Sequence, residues 1–297
     1  MSAVSPNVLI PTLTSLLALA FTVLMAQRFA SRRQPYYLVW CLGLLWYALA
    51  TGSEALGGAT GWNTTIYRTW YLTGAIGVAA YLGAGTLYLH RDPPFGSLAV
   101  ICILGAGVPA LATNHLEIGF TGLGCAILLG FILALKPGTF AHATTAILLV
   151  ASAVAAYLIV QAPVDTSLLP TSADQIVSGQ ALDPNTRALT PPFNIAGALI
   201  LILGAVLSAV QAARSRQMSN RLAANILIAV GAFVPSVASG LTRFGFTAIF
   251  FIGELVGLAC ILAGFLLSAR NPSVSPSPHP APATNPSPSG SPLSPLG

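Results

Sequence analysis

Residues 53–70, SEALGGATGWNTTIYRTW, join two apolar runs and set one carboxylate and one guanidinium, Glu54 and Arg68, just inside their facing ends. Both flanking runs, Tyr36–Gly58 and Thr64–Leu89, are long enough to cross the ~30 Å hydrocarbon core of a bilayer as helices. Seven more runs of this kind lie along the chain: Val8–Gln27, Phe95–Ala112, Ile118–Leu135, Thr144–Ala162, Phe193–Ala213, Leu222–Leu241 and Phe246–Ala269. In lipid only helices and closed barrels satisfy their own backbone groups, and none of these runs shows the strict alternation of a barrel strand. The expectation is an all-α transmembrane helical bundle of about nine spans over residues 1–270.

Composition points the same way. Of 297 residues 55% are hydrophobic and 6% charged, against about 25% charged in a soluble domain. The bilayer is therefore the partner for most of the surface. The formal charge of +5 comes from 12 basic residues scattered singly in turns, with no basic stripe to grip phosphates, so nucleic acid is set aside. Cys41, Cys102, Cys125 and Cys260 stand far apart inside apolar runs and read as small hydrophobes.

The basic residues also orient the chain. With the amino terminus outside, Arg28, Arg32, Arg33, Arg91, Lys136, Arg214, Arg216, Arg221 and Arg270 fall on the cytoplasmic side, and only Arg68, Arg187 and Arg243 near the outer face. The first run has no basic residue before it and three after it, the reverse of a cleavable signal. The fourth and fifth runs are the weakest pair, split only around His115. Removing them as a re-entrant hairpin leaves seven spans with the same end orientation. Residues 163–190 form a long polar outer loop able to cap the bundle. Residues 271–297, rich in proline and serine, read as a disordered cytoplasmic tail.

Depth and face reasoning sets the candidate site. Glu54 and Arg68 each lie about four residues below the outer interface, roughly 6 Å at the helical rise. Glu54 shares its face with Ala50, Tyr47 and Gly43, and Arg68 shares its own with Ala75, Ala79 and Gly83, small residues that let membrane helices meet. Glu254 lies in the outer half of the last run. Arg243 ends the run before it, just after a kink expected at Pro235. These four charges, with Asn194, Tyr67 and Tyr71 as neighbours, line an expected outer pocket under the long loop, or else form structural ion pairs.

Other marks carry less. His90 and His142 sit at cytoplasmic helix ends and can pair only if those ends touch. Lys136 is the only lysine and lies in a turn, so there is no amine for a retinal Schiff base. No nucleophile, P-loop or metal motif occurs. No catalytic residue, metal or cofactor is therefore expected.

The stretches EALGGATGWNTTIYRTWYLTGAIGVAAYLGAGTLYL and PPFNIAGALILILGAVLSA, then RLAANILIAVGAFVPSVASGLTR and FIGEL, resemble a loosely defined group of bacterial multi-span membrane proteins. The resemblance covers about two thirds of the chain. It implies a bacterial inner-membrane location and a seven-span core to which Phe95–Lys136 adds a hairpin. It includes Glu54, Arg68, Asn194, Arg243 and Glu254 without giving them a role. The sequence thus points to a binding, accessory or sensor-type membrane protein that recognises a small polar or lipid-headgroup ligand or a partner subunit. A small-solute or lipid transporter is the alternative, and an enzyme using Glu254 as acid or base stands behind both.

Overall fold

The computed structural model describes residues 5–113, 115–172, 175–214, 219–242 and 249–269. Nine long helical stretches run through them, beside a few helical turns: α1 (Pro6–Arg32), α2 (Pro35–Thr60), α3 (64–87), α4 (Pro93–Ala112), α5 (Leu116–Leu135), α6 (Phe140–Gln161), α7 (Thr190–Arg214), α8 (Ser219–Thr242) and α9 (Phe250–Ala269). Among the described residues the only β pairing is one isolated bridge, Val164 to Leu182, in the loop between α6 and α7. Eight helices are long and apolar enough to cross a membrane. The exception is α3, which is built in three parts: Thr64–Trp70, a π-helical Tyr71–Val78 and Ala79–Leu87. Arg243 and the tail from residue 271 lie outside the described residues.

Local chemistry fixes the helix ends. The Asn63 side chain accepts from the Ile66 N–H and starts α3, and Asp92 does the same for Phe95 and α4, with Pro93 at the first turn. At the end of α2 the chain reverses through Gly61 at φ 90°, a conformation that side-chain-bearing residues avoid. Inside the helices, Thr14, Thr22, Thr51, Ser53, Thr73, Thr86 and Thr144 turn their hydroxyls back to the carbonyl four residues earlier. Where no water is at hand, that is the nearest available acceptor.

The outer faces are as greasy as the interior. Leu16, Ile127, Phe131 and Val150 are 60–67% exposed, an arrangement that only hydrocarbon solvent favours.

Six helices close into a ring, α1 against α2, then α3, α7, α8, α9 and back to α1. On its inner side Phe21, Trp40, Leu44, Leu82, Leu201, Ile228, Ile261 and Phe265, drawn from all six helices, surround an apolar hollow. Outside the ring, α6 leans on α3, and the α4–α5 hairpin attaches through α4 to α7.

Glycine makes the ring tight. Trp46 lies on Gly77 and Trp40 on Gly85, so the indoles of α2 fill notches along α3. Gly74 meets Ala50, which keeps the face predicted for Glu54 turned toward α3. Gly83 was expected on that same seam, but it faces α7: a Cβ there would stand 2.5 Å from the Gly197 carbonyl oxygen. The two backbones touch, as small residues allow. α8 continues as helix through Pro235, whose ring is seated against Gly257.

Enlarging Gly197 to leucine is expected to drive its side chain into the Ala79 backbone and cost about 1–3 kcal/mol or more. Gly105→Ala, with open space around the new methyl, is expected to be neutral or to stabilise by up to about 1 kcal/mol. Thermal unfolding of both variants in one detergent checks the contrast.

Candidate functional site

Glu54 is 2% exposed and sits six residues before the C-terminal end of α2. That places it about 9 Å along the helix from the end. Glu254 is the fifth residue of α9, so the two carboxyls stand at similar depth. They lie within hydrogen-bonding reach of each other, although 200 residues separate them in the chain.

The closure of α1 onto α9 and α2 makes this meeting possible, and the Tyr47 hydroxyl ties it by donating to the Glu254 main-chain carbonyl at 3.0 Å. From α3, the Trp70 Nε1–H donates to Glu54 Oε1 at 2.7 Å. The second oxygens, Glu54 Oε2 and Glu254 Oε2, are buried and have no hydrogen-bond partner.

This corrects the expected pairing. Arg68 lies on the neighbouring helix, yet its Nη2 donates to the Ala162 carbonyl at 2.7 Å, at the C-terminal end of α6. A cation there complements the partial negative charge of the helix end. Its Nε is buried without a partner. Among the described residues no ion pair joins Arg68 to Glu54. The fourth charge of the expected set, Arg243, lies outside the described residues.

The tyrosines do other work than expected. The Tyr67 hydroxyl donates to the Ser178 carbonyl at 3.0 Å, and the Tyr71 hydroxyl meets the Thr190 hydroxyl at 2.6 Å. Around them Leu169, Val177, Ala181 and Leu182 of the loop pack on Ile76 of α3 and on Ala155 and Ile159 of α6. The described part of the loop between α6 and α7 therefore lies folded over the first turns of α3 and the last turns of α6. Asn194 is half-buried on α7 and makes no hydrogen bond to either carboxyl.

Trp70 and Tyr47 are the members of the site that sequence reading left out. Tyr47 is visible on the Glu54 face, seven residues earlier. Trp70 reads as an interface aromatic until a buried acceptor for its N–H is found.

At the opposite end of the bundle, His90 and His142 do come together, lining one cleft with Tyr88, Arg91 and Asp92. The Tyr88 hydroxyl lies 3.3 Å from His142 Nδ1, and Ser208 Oγ lies 3.0 Å from His90 Nε2. Burial keeps the His90 imidazole below its ordinary titration range, with Asp92 opposing. Among the described residues no group of three metal-ligating side chains forms. These polar groups hold one another, and that satisfies them.

The geometry implies two different couplings. Glu54→Gln and Trp70→Phe are expected to be non-additive by about 0.5–3 kcal/mol, whereas Glu54→Gln and Arg68→Gln add to within about 0.5 kcal/mol. Double-mutant cycles by thermal unfolding in detergent measure both, and coupling between Glu54 and Arg68 alone would reverse the assignment.

Set beside known proteins, the chain matches no family model, no curated protein and no solved structure.

Proposed function

We propose that this is a bacterial inner-membrane protein of nine spans, amino terminus outside and carboxyl terminus cytoplasmic, acting as a binding, accessory or sensor component. Its site is the Glu54–Glu254 pair, and its ligand supplies hydrogen or positive charge. Support for the ninth span comes from α3, whose 24 residues continue helically through the π segment. Support for the orientation comes from the basic residues at the cytoplasmic turns.

One observation carries the functional reading. Two buried carboxyls from distant parts of the chain meet, and each keeps an oxygen that the described surroundings leave unpartnered. A structural role would be better served by apolar side chains, because every unpaired buried polar group costs about 1–3 kcal/mol. Ionisable groups held inside a membrane bundle against that cost are the usual sign of a site.

A transporter is the second reading. It is favoured by the π-helical turns that begin directly after Trp70 and by Pro235 beside Gly257, since interrupted helices next to a charged site mark transport paths.

Purified protein in lipid nanodiscs, melted with and without ammonium or ethanolamine, tests the site. A rise in melting temperature is expected in the wild type and is lost in Glu254→Gln at unchanged helical content. An equal response in both removes the pair as the site. Uptake of the same probes into proteoliposomes that survives Glu254→Gln would exclude this residue from any transport reaction.

A further inference from the structure

We propose that the occupant of the Glu54–Glu254 site is a single proton exchanged with the outer aqueous phase. This rests on the reading of the pair as the binding site and names what it binds. An ionised carboxylate only accepts hydrogen bonds. Two carboxyls in contact therefore need a hydrogen from somewhere, and of the neighbouring donors one reaches a carboxyl oxygen, the Trp70 N–H on Glu54 Oε1.

The Trp70 N–H is given to Glu54 Oε1, and the Tyr47 hydroxyl to the Glu254 main chain. The hydroxyls of Thr51, Ser53 and Thr73 are turned back to their own helices. Arg68 Nη2 is directed at Ala162, and its buried Nε–H is bonded to neither carboxyl. The hydrogen left to lie between the carboxyls is an acid proton.

Charge leads to the same place. Two unit charges about 4 Å apart repel by about 4 kcal/mol at an effective dielectric constant near 20, and one proton removes that repulsion. The titratable side chains facing the pair are few: Tyr47 from α2 itself, and each glutamate toward the other. The outer halves of α1 and α7, and the described outer half of α8, bring none. A hard metal cation such as calcium wants six to eight oxygens. The described surroundings offer the two carboxyl groups and no set of three ligating side chains.

The proton has a short way to travel. Both glutamates lie within about 9 Å of the outer helix ends at the helical rise. Binding is a plain transfer: hydronium at the outer face gives one proton to a carboxylate oxygen and leaves water, and release reverses the step.

Infrared difference spectroscopy on full-length protein in nanodiscs, between neutral and mildly acidic pH, reads this directly. The carbonyl stretch of an un-ionised carboxylic acid is expected in the wild type, moving on deuterium exchange and indifferent to added sodium. It is expected to vanish in the Glu54→Gln/Glu254→Gln double variant. The remaining five acidic residues lie outside the described helices' buried core or near their ends. Among them, Asp165 in the outer loop is held below the ordinary carboxylate range by the Ser167 hydroxyl. In Trp70→Phe, which keeps the ring and removes the N–H donor, the band is expected to shift.

A missing band, or one that persists in the double variant, overturns the proposal. Should the double variant fail to fold, an unshifted band in Trp70→Phe overturns it as well. Loss of the band on adding sodium at constant pH rejects the proton as occupant while leaving the pair as a cation site. Failure of the binding reading itself shows separately, as a thermal response to ammonium that Glu254→Gln leaves intact.

Discussion

Away from water, every polar group of this chain must find its partner inside the protein, and most of the architecture answers to that requirement. Threonine and serine hydroxyls bond to the preceding turn of their own helix. The Trp40 indole crosses to the Leu82 carbonyl at 3.0 Å, joining α2 to α3 where Gly85 gives the ring room. Ser15 of α1 reaches the Ala48 carbonyl of α2 at 2.8 Å beside Gly52. Both of these bonds stand next to a glycine, where a close approach of backbones brings the carbonyl within reach. The exceptions are therefore informative. Unpartnered buried atoms occur at both glutamates, at Arg68 Nε, at Trp46 Nε1 and at Ser152 Oγ. Four of these five lie on α2, α3 and α9, the helices that meet at the carboxyl pair.

The central helix, α3, touches both the carboxyl pair and the loop between α6 and α7. Its first turns carry Tyr67 and Tyr71 outward to the loop and Trp70 inward to Glu54. Its middle turns are π-helical and hold Gly74 and Gly77, against which Ala50 and Trp46 rest. A π segment has a wider bore and poorer geometry than α-helix and persists where neighbours enforce it. Here the indole of Trp46 and the backbone contact of Gly83 with Gly197 hold α3 from opposite sides. The position of the Trp70 N–H is thus set by α2 and α7 together as well as by its own helix.

Much of this was legible in the sequence. The nine apolar runs coincide with the nine helical stretches to within a few residues, because length and hydropathy alone decide what a bilayer accepts. The long loop before α7 and the buried, protein-facing side of Glu54 were readable for similar reasons. Its partner was not. Depth and helical face narrow the choice to residues at the same level, and both Arg68 and Glu254 meet that condition. What decides between them is the closure of α9 onto α1 and α2, a contact between the two ends of the chain that no local pattern encodes. Arg68 was misread because its acceptor is a main-chain carbonyl at the end of α6, and carbonyls leave no trace in a sequence. Gly83 was assigned to the wrong neighbour for the same reason: small residues announce a close approach without saying to what.

Opposite charges at equal depth suggest an ion pair, and magnitudes explain why the protein has no need of one here. Holding a single charge at the middle of a membrane helix costs about 2.5–3.5 kcal/mol on an insertion scale, and less toward the interface. A hydrogen bond donated to a charged group returns about 1.5–3 kcal/mol, and the Trp70 N–H supplies one to Glu54. A carboxyl pair that carries one proton bears one negative charge, and that charge is met by the indole with little left over on either side. Adding a guanidinium would tip the balance toward permanent ionisation and fix the pair in one state. Directing Arg68 to α6 instead leaves the charge of the pair to be set by its proton, the condition under which the proposed site can both take up and release what it binds.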